Sequence, residues 1–235
     1  MKTAAPPLLR RHCLKVLASL GLPLGFTAAS QAAFSEGDAA QAVRAALERG
    51  AGSALQLLGR SGGFLDNPAV RIPLPPVLKE AARLARITGQ QARVDELVVA
   101  MNRAAEAAVP EGRAVLTQAV RSMSIEDARN ILSGGDQSVT RFFSDKTRAP
   151  LSQAFTPIVA RSMQKVSLAE KFEALAGRAV STGLVRREDA NLKGWVTDRT
   201  LDGLYRMIGE EERRIRQDPV GTGSALLSRV FGSLR

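Results

Sequence analysis

FLDNPAVRIPLPP, residues Phe64 to Pro76, is the one stretch of this chain that cannot be helical. Pro68, Pro73, Pro75 and Pro76 lack the backbone donor, and each turns its predecessor away from the α region. Yet Phe64, Leu65, Val70, Ile72, Leu74 and Val77 are too apolar for a solvated linker. The segment reads as an extended, partly polyproline-like strap laid over helices that bury its side chains. Asn67 and Arg71 are the polar groups such a strap would carry.

On both sides of the strap the apolar period is helical. Val43, Leu47, Ala54, Leu57 and Leu58 predict a helix from a cap at Ser35 to about Gly59, with Asp38 three residues after the cap. Pro76 is a natural first helical residue for Val77 to Ile87, which Gly89 stops. Gln91 to Val109 follows, and Pro110 opens a further helix through Met123. Ser124 with Asp127 caps the next, to Leu132; Gly134-Gly135 stops it, and Asp136 is the expected cap of a helix holding Val139, Phe142 and Phe143. A separate helix is expected over Leu151 to Val166, kinked or interrupted at Pro157, and another over Leu168 to Val180. After a charged connection through Lys193, Trp195 leads into a long helix to about Gln217, and Ala225 to Leu234 closes the chain. No run of period two and no internal repeat appears. The expected fold is all-α, a single multi-helix bundle with the strap near residues 64–76.

The first 32 residues read as an export signal. Lys2, Arg10, Arg11 and Lys15 precede an apolar run, Leu14 to Phe26, that is too short and too interrupted to span a bilayer. Ser30-Gln31-Ala32 supplies the small residues of a cut after Ala32. Arg10-Arg11-His12-Cys13-Leu14-Lys15 fits a twin-arginine pattern with Cys in the usual aromatic place; an ordinary basic n-region fits it as well. Residues 33–235 then form a single helical domain, exported and periplasmic. Removing the signal lowers the net charge from +10 to +6, because 4 of the 33 Lys/Arg leave and all 23 Asp/Glu stay. It also removes Cys13 and His12, the only cysteine and the only histidine. Thiolate and imidazole catalysis, His or Cys metal sites and disulfides go with them. No metal and no cofactor is expected. A charge of this size favours loose association with anionic envelope surfaces and does not argue for nucleic acid. The mature part carries no expected transmembrane segment.

Four groups of residues are candidates for a site. Asn102, Arg103 and Glu106 stand in the alanine-rich MNRAAEAA and are more polar than a packed alanine face needs; a surface pair between Arg103 and Glu106 is the structural alternative. Asn67 and Arg71 either bind a ligand or tie down the strap's own carbonyls. Ser133 to Asp136 can form an ion nest, or simply end one helix and start the next. Glu210-Glu211-Glu212 can supply paired carboxylates for work on a glycan, but basic residues one turn away favour a solvated, salt-bridged face, with Asp202–Arg206, Arg206–Glu210 and Glu212–Arg216 as i,i+4 pairs.

NPAVRIPLP (Asn67–Pro75), MNRAAEAAVP (Met101–Pro110), AFTPIVARSM (Ala154–Met163), WVTDRTLDGLYRMIGEEERRIRQDP (Trp195–Pro219) and RVFG (Arg229–Gly232) resemble, in this order, an exported bacterial family known only as a domain of unknown function. Trp195 stands where relatives carry Tyr, and Val220 to Ser224 is glycine-rich where they are basic. The resemblance implies one coherent fold and an envelope location, and brings no activity, cofactor or catalytic residue. The expectation is an envelope protein that binds an unknown envelope protein or an anionic ligand without chemistry, Asn67, Arg71, Asn102, Arg103 and Glu106 being the ligand-binding candidates. A hydrolase working on envelope glycan or lipid through carboxylates is the alternative, and a structural envelope protein a third.

Overall fold

The computed structural model describes residues 36–165, 167, 170–171 and 191–218. The signal segment and its cut, the Ser35 cap, the helix expected over Leu168 to Val180, the glycine-rich bend and the closing helix lie outside the described residues. Every regular element among the described residues is helical, so the fold is an all-α bundle. The helices are α1 (Glu36–Gly59), α2 (Lys79–Ile87), α3 (Gln91–Ala108), α4 (Arg113–Arg121), α5 (Ile125–Ser133), α6 (Ser138–Lys165) and α7 (Leu192–Gln217). Short 3-10 turns at Pro76–Leu78 and Val109–Gly112 lead into α2 and α4, each with proline in its first turn as expected of a residue without N–H. Among the described residues, no helix is long and apolar enough to cross a membrane.

The longest helices, α6 and α7, pack along each other. Helix α3 lies on α6, and α1 bridges α7, α4 and α5. One continuous apolar core results, with Phe64, Phe143, Phe155, Leu58, Ile72 and Met101 among its fully buried side chains. Small residues set the distances. A Cβ on Gly203 of α7 would stand 2.7 Å from the Phe64 ring, and one on Gly112 would stand 3.0 Å from that of Phe155.

The two helices expected over 138–166 are one. Pro150 and Pro157 sit inside α6, seven residues apart on its exposed side, and the carbonyls they leave without a helical partner belong to exposed Lys146 and Gln153. Water can satisfy those carbonyls. The opposite stripe, Phe143, Thr147, Leu151, Phe155 and Val159, recurs every four residues and is buried throughout, which holds the helix together across both prolines.

Of the described helix starts expected at Ser124, Asp136 and Trp195, the first forms as expected and the other two depart. Ser124 and Asp127 form the expected reciprocal box: Asp127 N–H donates to Ser124 Oγ, and Ser124 N–H to Asp127 Oδ2, each at 3.0 Å. Those donors also hold the Asp127 carboxyl below the usual carboxylate range. Helix α7 starts at Leu192, ahead of the expected Trp195, because Asn191 accepts the Gly194 N–H at 2.9 Å. The first turn of α6 is not capped by Asp136 but from α7, by Glu212. Its Oε1 accepts the Val139 N–H at 3.1 Å and its Oε2 the Thr140 N–H at 3.2 Å. The expected pair of Asp202 with Arg206 is replaced as well: Asp202 binds Arg148 of α6 at 2.8 Å and Arg199 at 3.1 Å, while Arg206 reaches Glu210 at 3.5 Å.

Candidate functional site

The strap poses a problem in backbone chemistry. Its apolar side chains must be buried, yet an irregular segment brings N–H and C=O groups inside with no ladder to receive them. Helix α3 supplies the partners. Asn102 and Glu106 stand four residues apart on one face of α3, and Ala104, Ala105 and Ala108 around them are fully buried, so strap and helix approach closely.

Asn102 is itself fully buried and reads both backbone groups of Ile72. The Ile72 N–H donates to Asn102 Oδ1 at 2.8 Å, and Asn102 Nδ2 donates to the Ile72 carbonyl at 3.0 Å. The second Nδ2 hydrogen goes to the Val98 carbonyl at 2.8 Å. One side-chain amide thus takes the place of a neighbouring strand. One turn on, Glu106 Oε1 accepts the N–H groups of Phe64 and Leu65, each at 3.1 Å. Its Oε2 is paired with Arg103 at 2.7 Å, and Arg103 also donates to Ser61 Oγ at 2.8 Å. The Arg103–Glu106 pair expected at the surface is a half-inserted one: the Glu106 carboxylate is buried, and the guanidinium covers it from the solvent side.

Residues 61–66 and 68–70 are turns, and residues 71–75 of the strap form no regular element, Pro75 being extended. Asn67 organises the second of these turns. Its Oδ1 accepts the Ala69 N–H at 3.1 Å, and its carbonyl accepts those of Val70 at 3.1 Å and Arg71 at 2.9 Å. Its side chain therefore takes a strap N–H and no strap carbonyl, while its own backbone N–H donates to the Phe64 carbonyl at 3.3 Å. Trp195 of α7 takes one carbonyl instead, its indole N–H donating to that of Pro73 at 3.0 Å, with Arg199 stacked on the ring at 4.8 Å. Nothing in the sequence around Trp195 signalled this contact except its being the only tryptophan.

Four of the five predicted site residues, Asn67, Asn102, Arg103 and Glu106, thus meet at the strap. Arg71 does not join them. Its side chain is exposed and has no hydrogen bond or ion pair among the described residues. A shallow, open hollow of about 370 Å³ lies beside the turn, lined by Arg60, Ser61, Asp66, Asn67 and Pro68 among others.

Residues 33–232 match the family described as "Protein of unknown function (DUF4197)". The chain belongs to this family. The match takes in the strap, α3 and Trp195. No curated protein and no solved structure matches the chain.

A second polar cluster of this DUF4197 chain lies inside the bundle and not on its surface. Glu211 and Glu212, expected on a solvated face, are buried. The i,i+4 pair of Glu212 with Arg216 forms as expected, at 3.0 Å, but inside: Arg216 also donates to Ser138 Oγ at 2.6 Å and to the Ile131 carbonyl at 2.9 Å. The cluster joins the end of α5, the start of α6 and the last turns of α7. It borders a small, mostly apolar cavity of about 30 Å³ against α1, room for a water or two. The spacing Leu201, Tyr205, Ile208, Glu212, Ile215 repeats in steps of four and three and already placed Glu212 on the buried stripe.

The expected stop between two helices is present at Ser133 to Asp136, where α5 ends and α6 begins at Ser138. Gly134 ends α5 in an extended conformation, where a Cβ would collide with Ser138. Gly134 and Asp136 also line an open groove of about 590 Å³ between α5 and α6, in which Asp127, Asp136 and Asp145 face Arg141 and Lys146. Charges of both signs alternate there, and no group of three or more metal-ligating side chains occurs among the described residues.

Proposed function

We propose that this family member is exported and acts in the cell envelope as a non-catalytic binding protein for an anionic partner, with Arg71 in the contact. The observation that carries the reading is a free cation on a fixed backbone. The N–H of Arg71 is tied to Asn67 and both backbone groups of its neighbour Ile72 are tied to Asn102, while its guanidinium faces solvent without a partner among the described residues. A guanidinium presented this way loses little backbone entropy on binding a carboxylate or phosphate.

The buried carboxylates support binding over hydrolysis. Glu106 and Glu212 each accept two backbone N–H groups and pair with an arginine, so their oxygens are already taken up by the chain itself. A general acid or base for glycan chemistry needs a carboxyl within hydrogen-bond reach of the substrate instead.

Because Cys13 precedes the expected cut, a cysteine introduced at 71 is unique in the mature chain. Arg71→Cys carrying a photoreactive maleimide, returned to envelope fractions, should form a discrete adduct that the same label at exposed Glu111 does not form. Identical labelling from both positions would reject Arg71 as a contact. A chain that keeps its first 32 residues and stays in the cytoplasm would reject the envelope.

A further inference from the structure

Helix α2 is built inside out. Its buried residues are the small ones, Ala81, Ala82 and Ala85, whereas its large apolar residues face solvent. Leu84 is 51% exposed and Ile87 74%, and they stand three residues apart on one side of the helix, next to the turn that joins α2 to α3. Exposed apolar residues scattered singly need no explanation, but a pair at the tip of a helix with basic residues in excess beside it is a different arrangement. Lys79, Arg83, Arg86 and Arg93 are exposed on α2 and at the start of α3, and Glu80, the single acid within 79–93, stands four residues before Leu84 on the same side of the helix. Glu80 itself lies 3.9 Å from Arg83 at the surface. Asp95 comes a turn later on α3, and Glu96 is neutralised by Lys171 at 2.7 Å.

From this geometry we propose that the α2 tip docks on an anionic lipid surface, Leu84 and Ile87 entering the boundary between headgroups and acyl chains while Lys79, Arg83, Arg86 and Arg93 lie against the phosphates. The charge selects the occupant. Two copies meeting symmetrically through this tip would bring like charges together, four basic residues facing four. An anionic headgroup layer meets the basic flank with opposite charge and the apolar pair with an apolar interior. Arginine and lysine stems suit this position, since they lie along apolar surface with the charge in the wet layer. This goes beyond the binding reading centred on Arg71 and fails separately from it: a label at 71 reports the strap, whereas vesicles report the tip.

The test uses residues 33–235, a chain that omits the apolar run of residues 14–26 and whose residues from Phe34 onward cluster as a compact unit of their own. Co-sedimentation is measured with phosphatidylcholine vesicles, with and without phosphatidylglycerol. Wild type should bind the phosphatidylglycerol vesicles and lose them as salt rises. Leu84→Ser with Ile87→Ser should weaken binding about tenfold or more. Arg83→Gln with Arg86→Gln should weaken it roughly ten- to thirtyfold. Ile125→Ser, at an exposed apolar residue of α5, should leave it unchanged, and all these variants should keep the wild-type melting temperature. No binding by wild type, equal binding by the α2 variants, or equal binding to vesicles without phosphatidylglycerol would overturn the proposal. So would an Ile87→Ser variant that turns a dimer into a monomer, since the tip would then be a self-association face.

Discussion

Replacing Asn102 by alanine isolates the bond between strap and helix. The change removes the acceptor of the Ile72 N–H and the donor to the Ile72 carbonyl, and Ile72 is fully buried, so no water replaces them without opening the core. Each orphaned buried group costs about 1–3 kcal/mol, and the pair therefore about 2–6 kcal/mol. Loss of the Nδ2 bond to the Val98 carbonyl adds little, because that carbonyl lies in the middle of α3 and receives the helix's own N–H. Asn102→Leu should cost about as much as Asn102→Ala, since filling the space leaves the same two groups unpaired. Against a typical stability of about 5–15 kcal/mol either change is large. The assay is equilibrium urea unfolding followed by tryptophan fluorescence, for which Trp195 is the only reporter and touches the strap directly. Arg71→Ala, at an exposed side chain without a partner among the described residues, serves as the control and should stay within about 0.5 kcal/mol of wild type. A loss under about 1 kcal/mol for Asn102→Ala would refute the reasoning and leave the strap held by side-chain packing alone.

Glu212→Ala should destabilise by about 3–5 kcal/mol, since it strips the first turn of α6 of its acceptor and leaves Arg216 without its carboxylate; in a double-mutant cycle, Glu212→Leu with Arg216→Met together should lose less than the sum of the two single changes. Gly203→Ala should cost about 1–3 kcal/mol by urea unfolding, because its Cβ would press into the buried Phe64 ring. Tyr205 is the only tyrosine, and burial pushes its phenol above the usual value while a hydrogen bond with Thr147 and the nearby Arg148 pull the other way. A raised folded-state value means stability that is intact below the unfolded value of about 10 and declines as pH rises through and beyond it; absorbance near 295 nm should show ionisation later in the folded protein than in urea.

The fold was legible where local chemistry and packing agree. The capping box at Ser124, the prolines opening the turns before α2 and α4, and the long periodic stripes of α1, α3 and α7 needed no tertiary information. The break expected within α6 failed because a proline weakens a helix only as far as its freed carbonyl goes unsatisfied, and Pro150 and Pro157 both sit on the wet side. The same logic divides the polar residues. Asn102, Arg103 and Glu106 stood out because their polarity exceeds the needs of an alanine face, and the strap supplies the reason. Glu212 escaped because three consecutive glutamates suggest a solvated run, although the stripe of Tyr205, Ile208 and Ile215 points it inward. Sequence spacing tells which way a side chain points; it does not tell that an N–H from 73 residues away waits there to be accepted.

Amide hydrogen exchange read at Phe64, Leu65 and Ile72 tests most directly that side chains of α3 hold the strap. Their N–H groups lie in irregular backbone and are bound only by Glu106 and Asn102. In the wild type these three amides should exchange as slowly as those in the middle of α3, and in Asn102→Ala the Ile72 amide should become fast while α3 stays protected. Wild-type exchange at the rate of a solvated loop at all three positions would contradict the clamp.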